Sequence, residues 1–199
     1  MSQFDIQKFD FIDMDEVVKK LRCVKLLGHG LKCVYQNAKA EIENVSPLKL
    51  VPTQRYVLSS SLKTIENLYV LFNKIGIDIF NLDGGIRYTL NDKIFHLLPP
   101  IIEMTDNSLG GFVPLICDGM HRIKCSIQLN KEIRVICFHN LPPEFPYYAH
   151  PLPNGWKDVR IIDRIPPKFQ KKVYREPNAH KLLFRDINSV FPGIQFSRK

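Results

Sequence analysis

The chain has 199 residues, of which 45% are hydrophobic and 24% are charged, a composition typical of a globular domain with a sizeable core. No apolar run approaches the roughly 20 residues of a membrane span, and the N-terminus lacks the basic start of a signal peptide. We therefore expect a cytoplasmic protein without a membrane partner. The five cysteines form no Cys-x-x-Cys pair, which favours free thiols over disulfides or a zinc site.

The net charge of +8 is concentrated in the last third of the chain. From Asn140 onward there are 11 Lys or Arg and 5 Asp or Glu, a difference of +6, so everything before it carries +2. Such a basic segment suits an anionic partner, and nucleic acid is one candidate. The alternative is a solvated surface that only keeps the protein soluble.

The first predicted element is an amphipathic helix over 14–27. Asp13 can cap its N-terminus, and Glu16 completes a capping box three residues later. Apolar residues then recur at three- and four-residue steps. Gly28 and Gly30 are expected to end the helix.

The next segment predicts an extended chain and a second helix. Residues 41–50 have the pattern of a strand, and Pro47 places it at a sheet edge or a bend. Residues 62–75 repeat apolar side chains at helical spacing. The glycine-containing turn at 83–85 predicts a hairpin or a long loop within 77–95.

The centre of the chain predicts strands over 101–104 and 112–117, joined by a turn at 106–111. A helix over 121–129 and a buried strand over 133–138 follow. After this strand the chain becomes rich in prolines and aromatic residues. We expect an irregular arm laid over the domain, with one helix around 179–190.

One turn carries most of the chemistry, because a predicted strand runs through Asp118-Gly119 directly into a helix. A helix N-terminus offers unpaired backbone N–H groups and a partial positive charge. Gly119 allows a sharp turn and close approach of a ligand, Arg122 matches phosphate oxygens, and His121 can donate to a phosphate or move a proton. Asp118 can hold Mg²⁺ or accept a hydroxyl proton. The alternative is that Asp118 caps the helix and Arg122 pairs with a carboxylate.

The order of elements over 41–138 resembles the N-terminal domain shared by ParB partition proteins, sulfiredoxins and ADP-dependent free serine kinases. The resemblance covers about half the chain. It rests on the segments 41–52, 62–76, 99–103, 113–122 and 133–138. It implies an α/β (α+β) fold in which helices pack on a small mixed sheet. The implied division is an N-terminal helical extension over 1–40, a nucleotide-binding domain over 41–139 and a basic proline-rich arm over 140–199.

The motif at 118–122 discriminates between these relatives. Sulfiredoxins carry a catalytic Cys where this chain has Met120, and a thioether cannot replace a thiolate. ParB partition proteins have a motif richer in Arg and continue into a helix-turn-helix domain, which the proline-rich arm does not resemble. The Asp-Gly-His-His-Arg motif of the free serine kinases is the most similar. The catalytic glutamate of those kinases corresponds to Gln54, which cannot act as a base.

The resemblance implies a kinase that transfers phosphate from ATP or ADP, with Mg²⁺, to a small hydroxylated metabolite. Asp118 and His121 would be catalytic, and Asp118 would hold the metal. The phosphate-binding residues would be Gly119, Met120, His121, Arg122 and Arg55. Further substrate or base contacts would be Gln54, Glu103 and Trp156. Two alternatives stay open: an NTP-binding, ParB-like protein of DNA association or phage defence, and a degenerate domain that binds a phosphorylated ligand without turnover.

Overall fold

The computed structural model describes residues 8–30, 32–90, 92–106 and 111–194. Most of the predicted turn at 106–111 lies outside these ranges, as do the first seven and last five residues of the chain. The described part is an α+β fold, as expected. In chain order its elements are β1 (Lys8–Asp13), α1 (Met14–Leu21), β2 (Lys39–Val45), β3 (Tyr56–Leu58), α2 (Ser59–Asn73), β4 (Gly84–Leu90), β5 (Lys93–Leu97), β6 (Ile101–Asp106), β7 (Phe112–Ile116), α3 (Met120–Gln128), β8 (Ile133–His139) and β9 (Arg160–Ile162).

A four-stranded mixed sheet forms the centre, in the order β2-β8-β6-β7. β2 runs antiparallel to β8, β6 runs parallel to β8, and β7 runs antiparallel to β6. Successive residues of a strand point to opposite faces, so the sheet separates two cores. On the helix face, Ile102, Ile116 and Cys137 pack with α2 and α3. On the opposite face, Ile101 and Phe138 pack with α1 and the C-terminal arm.

Two small sheets flank the central one. β1, β4 and β5 form an antiparallel sheet, whereas β3 and β9 form a parallel pair. The predicted hairpin is present, formed by β4 and β5, but its turn is not at 83–85, because Gly84 and Gly85 are the first residues of β4. The turn lies between Leu90 and Lys93, with Asp92 at a φ of 59°. Gly84 is required because β1, which was not predicted, passes too close for a Cβ: one there would lie 2.1 Å from the carbonyl oxygen of Ile12.

Helix α1 is shorter than predicted. The Asp13 side chain accepts a hydrogen bond from the backbone N–H of Asp15 at 2.8 Å, so the predicted N-cap is confirmed. The helix ends at Leu21 instead of residue 27. The reason is long-range pairing, since Lys25 forms a bridge with Cys33 and Leu26 forms one with Arg185.

The C-terminal arm contacts both faces of the sheet: Leu152 and Val159 pack in the core of α2 and α3, whereas Phe145 and Phe191 pack with α1. Its predicted α-helix over 179–190 is replaced by two 3-10 turns, His180–Leu183 and Ile187–Ser189. Between them the backbone is extended, because Arg185 pairs with Leu26. The arm is anchored by buried side chains. These are Phe145, Tyr147, Ala149, Leu152, Val159, Lys172, Arg185, Ile187 and Phe191. None of the described helices has both the length and the apolar character to cross a bilayer.

Candidate anion-binding site

The turn between β7 and α3 is held by both neighbouring strands. The backbone N–H groups of Cys117 and Asp118 donate to the carbonyl of Ile101 at 2.9 and 3.2 Å. Gly119 is the N-cap of α3 at a φ of 87°, in the left-handed region. A Cβ at this position would lie 2.7 Å from the Cβ of Pro100. Both the backbone conformation and the packing therefore require glycine here.

Arg122 is buried in the first turn of α3, with only 4% of its surface exposed. Its Nε and Nη1 have no hydrogen-bond partner among the residues that the structure describes. Burial lowers the pKa of Arg122 to about 10, with Asp118 and Tyr88 acting in the opposite direction. The guanidinium therefore stays charged at neutral pH. Unpaired buried charge is costly, so this group is suited to an anionic ligand.

His121 is the neighbour of Arg122 and is neutral at pH 7. Burial, followed by the charge of Lys171, lowers the pKa of His121 to about 4. The backbone N–H of Leu58 donates to its Nε2 at 3.3 Å. Because Nε2 accepts this bond, the ring proton of the neutral imidazole resides on Nδ1. His121 can thus donate a hydrogen bond to an anion, but it carries no charge of its own.

The contact between Leu58 and His121 brings two helix starts together, because Leu58 is the N-cap of α2. Neither α2 nor α3 has a hydrogen-bonding side-chain cap at its N-cap residue. Both helices therefore present first-turn N–H groups and positive dipole ends near one place. Ser59, the first residue of α2, donates its hydroxyl to Asp163 at 2.6 Å, which links the arm to this edge.

Gln54 and Arg55 directly precede β3, the strand that ends at Leu58 beside His121. The backbone of Arg55 is fixed by the arm: its N–H donates to the carbonyl of Lys171, and its carbonyl accepts from Arg160, both at 2.9 Å. Gln54 is buried, and its amide donates to the carbonyl of Tyr56. The Gln54 amide group is thus already engaged with the backbone.

Glu103 lies on the opposite face of the sheet from Arg122. Its two oxygens accept from Nε and Nη2 of Arg185 at 2.8 and 3.0 Å, and Oε1 also accepts from the hydroxyl of Tyr35 at 2.7 Å. The structure therefore does not bring Glu103 together with His121. It places Glu103 in a buried ion pair with the arm.

Trp156 and Met120 are tied to the core on the helix face. The indole N–H of Trp156 donates to the carbonyl of Pro47 at 3.1 Å, and Lys124 lies over its ring at 5.7 Å. This geometry shows Trp156 anchoring the arm on the helix face, with its indole N–H already engaged by the backbone. Met120 is buried in the same core as α2.

Sequence reasoning missed the contributions of Leu58 and Lys171. A backbone N–H leaves no trace in a residue pattern, and Lys171 reaches the site only because the arm folds back along β3. No local residue pattern predicts either contribution.

The fold and the site together define a small α+β domain with a buried arginine at a helix start, two of whose nitrogens have no partner among the described residues. The family model of the ParB CE domain matches residues 16–160, which is most of the chain, and the chain belongs to this family. The match runs from α1 to the first residue of β9 and includes every candidate site residue. No curated protein matches the chain.

Proposed function

We propose that this ParB CE domain binds the phosphates of a nucleotide at the start of α3 and uses that binding in a DNA-associated role. The observation that carries the proposal is the buried guanidinium of Arg122, two of whose nitrogens lack a partner among the described residues. Phosphate is the biological anion whose oxygens best match a guanidinium fork and helix N–H groups. ATP, ADP and CTP are equally compatible with these contacts.

The neighbouring groups support an anion of more than one charge. His121 donates from Nδ1 without adding charge, whereas Arg122 and Lys171 are cationic. Asp118 is the carboxylate at the strand end, where it can share a Mg²⁺ ion with bound phosphates. A lone carboxylate suffices for this role, since Mg²⁺ on nucleotides keeps several waters and is held largely by phosphate oxygens.

The basic surface beside the site supports nucleic acid as the second partner. Two of the arm's basic residues, Lys172 and Arg185, are buried and cannot contact DNA. The exposed ones include Arg160, Arg164 and Lys168, which lie in β9 and the loop that follows it. Because β9 pairs with β3, which leads into α2, this basic segment adjoins the candidate nucleotide site.

Phosphotransfer to a small hydroxylated acceptor needs a base, and the site supports that reaction less well. Of the three side chains considered for this role, Gln54 is engaged with the backbone and Glu103 is in an ion pair on the other face. Asp118 is the remaining one. We therefore propose nucleotide binding, and phosphotransfer from ATP or ADP is tested in a separate assay.

The nucleotide part is tested by calorimetric titration of the full chain with ATP, ADP, CTP and GTP in the presence of Mg²⁺. We expect saturable binding of at least one of them and a loss of at least 100-fold in affinity for Arg122→Met. The matched control is Arg87→Met, because Arg87 is exposed and paired with Asp10 at 2.9 Å. Absence of binding to all four nucleotides would contradict the proposal.

The DNA part is tested by binding to duplex DNA with and without the nucleotide, over a series of salt concentrations. Phosphate contacts predict an affinity that falls steeply as salt rises. We expect Arg160→Ala and Arg164→Ala to weaken binding and to flatten this dependence, whereas Lys20→Ala, on α1, should not. Equal affinity at low and high salt would argue against a DNA-associated role.

A further inference from the structure

A second cluster of reactive side chains lies on the neighbouring strands β2 and β8 of the central sheet. The register pairs Glu41 with Cys137 and Lys39 with His139. Residues paired directly across an antiparallel ladder, and those two positions along it, share one face. Glu43, Cys137 and His139 therefore project from the same face, and each offers a ligand atom within 4.8 Å of the other two.

The environment of His139 provides an independent observation. Its Nε2 is buried and makes no hydrogen bond to any described residue, although the carboxylate of Glu41 lies 2.9 Å from it. The other oxygen of Glu41 pairs with Lys39, and its carboxylate is also in hydrogen-bond contact with that of Glu43. Glu41 therefore holds the imidazole of His139 and the exposed carboxylate of Glu43 close together beside the thiol of Cys137.

We propose that Glu43, Cys137 and His139 form a binding site for Zn²⁺ or a chemically similar divalent cation. A thiolate, an imidazole and a carboxylate are the donors that zinc takes in proteins. The carboxylate of Glu41 is the nearest further oxygen for the fourth position. The site joins β2, at the edge of the central sheet, to its neighbour β8.

Binding exchanges a proton for the metal. Burial and the charges of Glu43 and Glu41 raise the pKa of the Cys137 thiol to about 12, so the metal-free protein holds a neutral thiol. The cation forms a bond to the sulfur while the S–H bond breaks, and one proton leaves to solvent. The two carboxylates that oppose ionisation of the thiol in the metal-free protein then stabilise the metal complex, because the bound charge has the opposite sign.

Cobalt titration of the chelator-treated full chain tests the proposal. We expect one equivalent of Co²⁺ to give a thiolate-to-cobalt charge-transfer band and the intense visible bands of a tetrahedral site, both removed by Zn²⁺. Cys137→Ser should lose the charge-transfer band. Cys125→Ser, which alters another buried thiol, and Cys23→Ser, which alters an exposed one, should retain it.

Glu43→Gln is a second variant that should fold normally, because this side chain is exposed and its replacement leaves the core unchanged. We expect this variant to bind Co²⁺ at least tenfold more weakly and to show a smaller rise in Tm on addition of Zn²⁺. The proposal is overturned if no thiolate band appears with one equivalent of Co²⁺. It is equally overturned if the band persists in Cys137→Ser or if Glu43→Gln binds the metal as tightly as the unaltered chain.

Discussion

Two arginines are buried on opposite faces of the same sheet, and their surroundings differ completely. Arg185, which is 7% exposed, donates two hydrogen bonds to Glu103. Its remaining bonds go to the backbone carbonyls of Phe145, Pro146 and Leu183. Burial alone would lower the pKa of Arg185, but the charge of Glu103, the hydrogen bonds to it and the smaller contributions of Tyr35 and Cys117 together hold this pKa above its ordinary value. Burial lowers the pKa of Arg122 although the carboxylate of Asp118 is near enough to raise it, and Nε and Nη1 of Arg122 have no hydrogen-bond partner among the described residues.

The difference separates a structural arginine from a binding one. A fully paired guanidinium contributes to the fold and has no donor left for a ligand. An unpaired one lowers the stability of the ligand-free protein and is compensated only when an anion arrives. Removing the counter-ion of Arg185 should therefore lower the free energy of unfolding, whereas removing Arg122 should leave it unchanged or raise it.

The largest change in the free energy of unfolding is expected when the ion pair between Glu103 and Arg185 is broken. Glu103→Gln leaves the Arg185 charge buried without its counter-ion, so we expect a loss of about 3–5 kcal/mol in the free energy of unfolding. Urea denaturation measures it. Replacing both partners by Met should recover much of this loss, because paired apolar side chains leave no buried charge. A loss below about 1 kcal/mol in Glu103→Gln would show that the pair does not hold the arm.

The second prediction concerns Arg122, where removal should leave the ligand-free protein as stable as before or more stable. Arg122→Met eliminates an unpaired buried charge and retains much of the apolar stem. The stabilisation by nucleotide, about 2.7 kcal/mol at a concentration 100 times the Kd, should disappear. Thermal unfolding with and without nucleotide measures both effects. If Arg122→Met destabilises the ligand-free chain by as much as Glu103→Gln does, the two arginines do not differ in the way proposed.

The third prediction uses pH to probe the burial of His121, the neighbour of Arg122. The pKa of His121 is about 4 in the folded chain, against an ordinary value of 6.5, so the unfolded chain binds more protons between these values. Stability is therefore complete above about pH 6.5 and falls as the pH drops towards 4, by about 3 kcal/mol from this group. His121→Gln retains an acceptor for Leu58 and should lose this part of the pH dependence. Identical pH profiles for the two proteins would contradict the assignment.

The sequence predicted the parts of the fold that depend on neighbouring residues. Apolar alternation located β6, β7 and β8, helical spacing located α2, and the glycine of the strand-to-helix turn located the start of α3. These features are local, because side-chain period and turn chemistry act over a few residues. The motif at 118–122 was found for the same reason.

The remaining parts depend on pairings between distant residues. The end of α1 is set by Cys33 and Arg185, and the loss of the predicted arm helix by Leu26. The assignment of Glu103 as a possible base failed to foresee its partner 82 residues away. The Cys-x-His spacing of Cys137 and His139 gives no local signal of their proximity, because a spacing of two brings side chains together only on a strand.

The smallest expected effect tests how closely Glu103 is matched to its partners. Tyr35 stacks on Phe138 and donates its buried hydroxyl to the oxygen of Glu103 that also accepts from Arg185. Burial and the charge of Glu103 raise the pKa of Tyr35 well above its ordinary value, so the hydroxyl remains a donor at all physiological pH. Tyr35→Phe keeps the stacked ring and removes one hydrogen bond to a charged group, for an expected loss of about 1.5 kcal/mol. In the Glu103→Gln background the loss should shrink, because the acceptor is then neutral. A double-mutant cycle by urea denaturation measures this coupling. Equal losses of unfolding free energy in both backgrounds would show that Tyr35 does not belong to the hydrogen-bond network of Glu103 and Arg185, which Arg122 lacks.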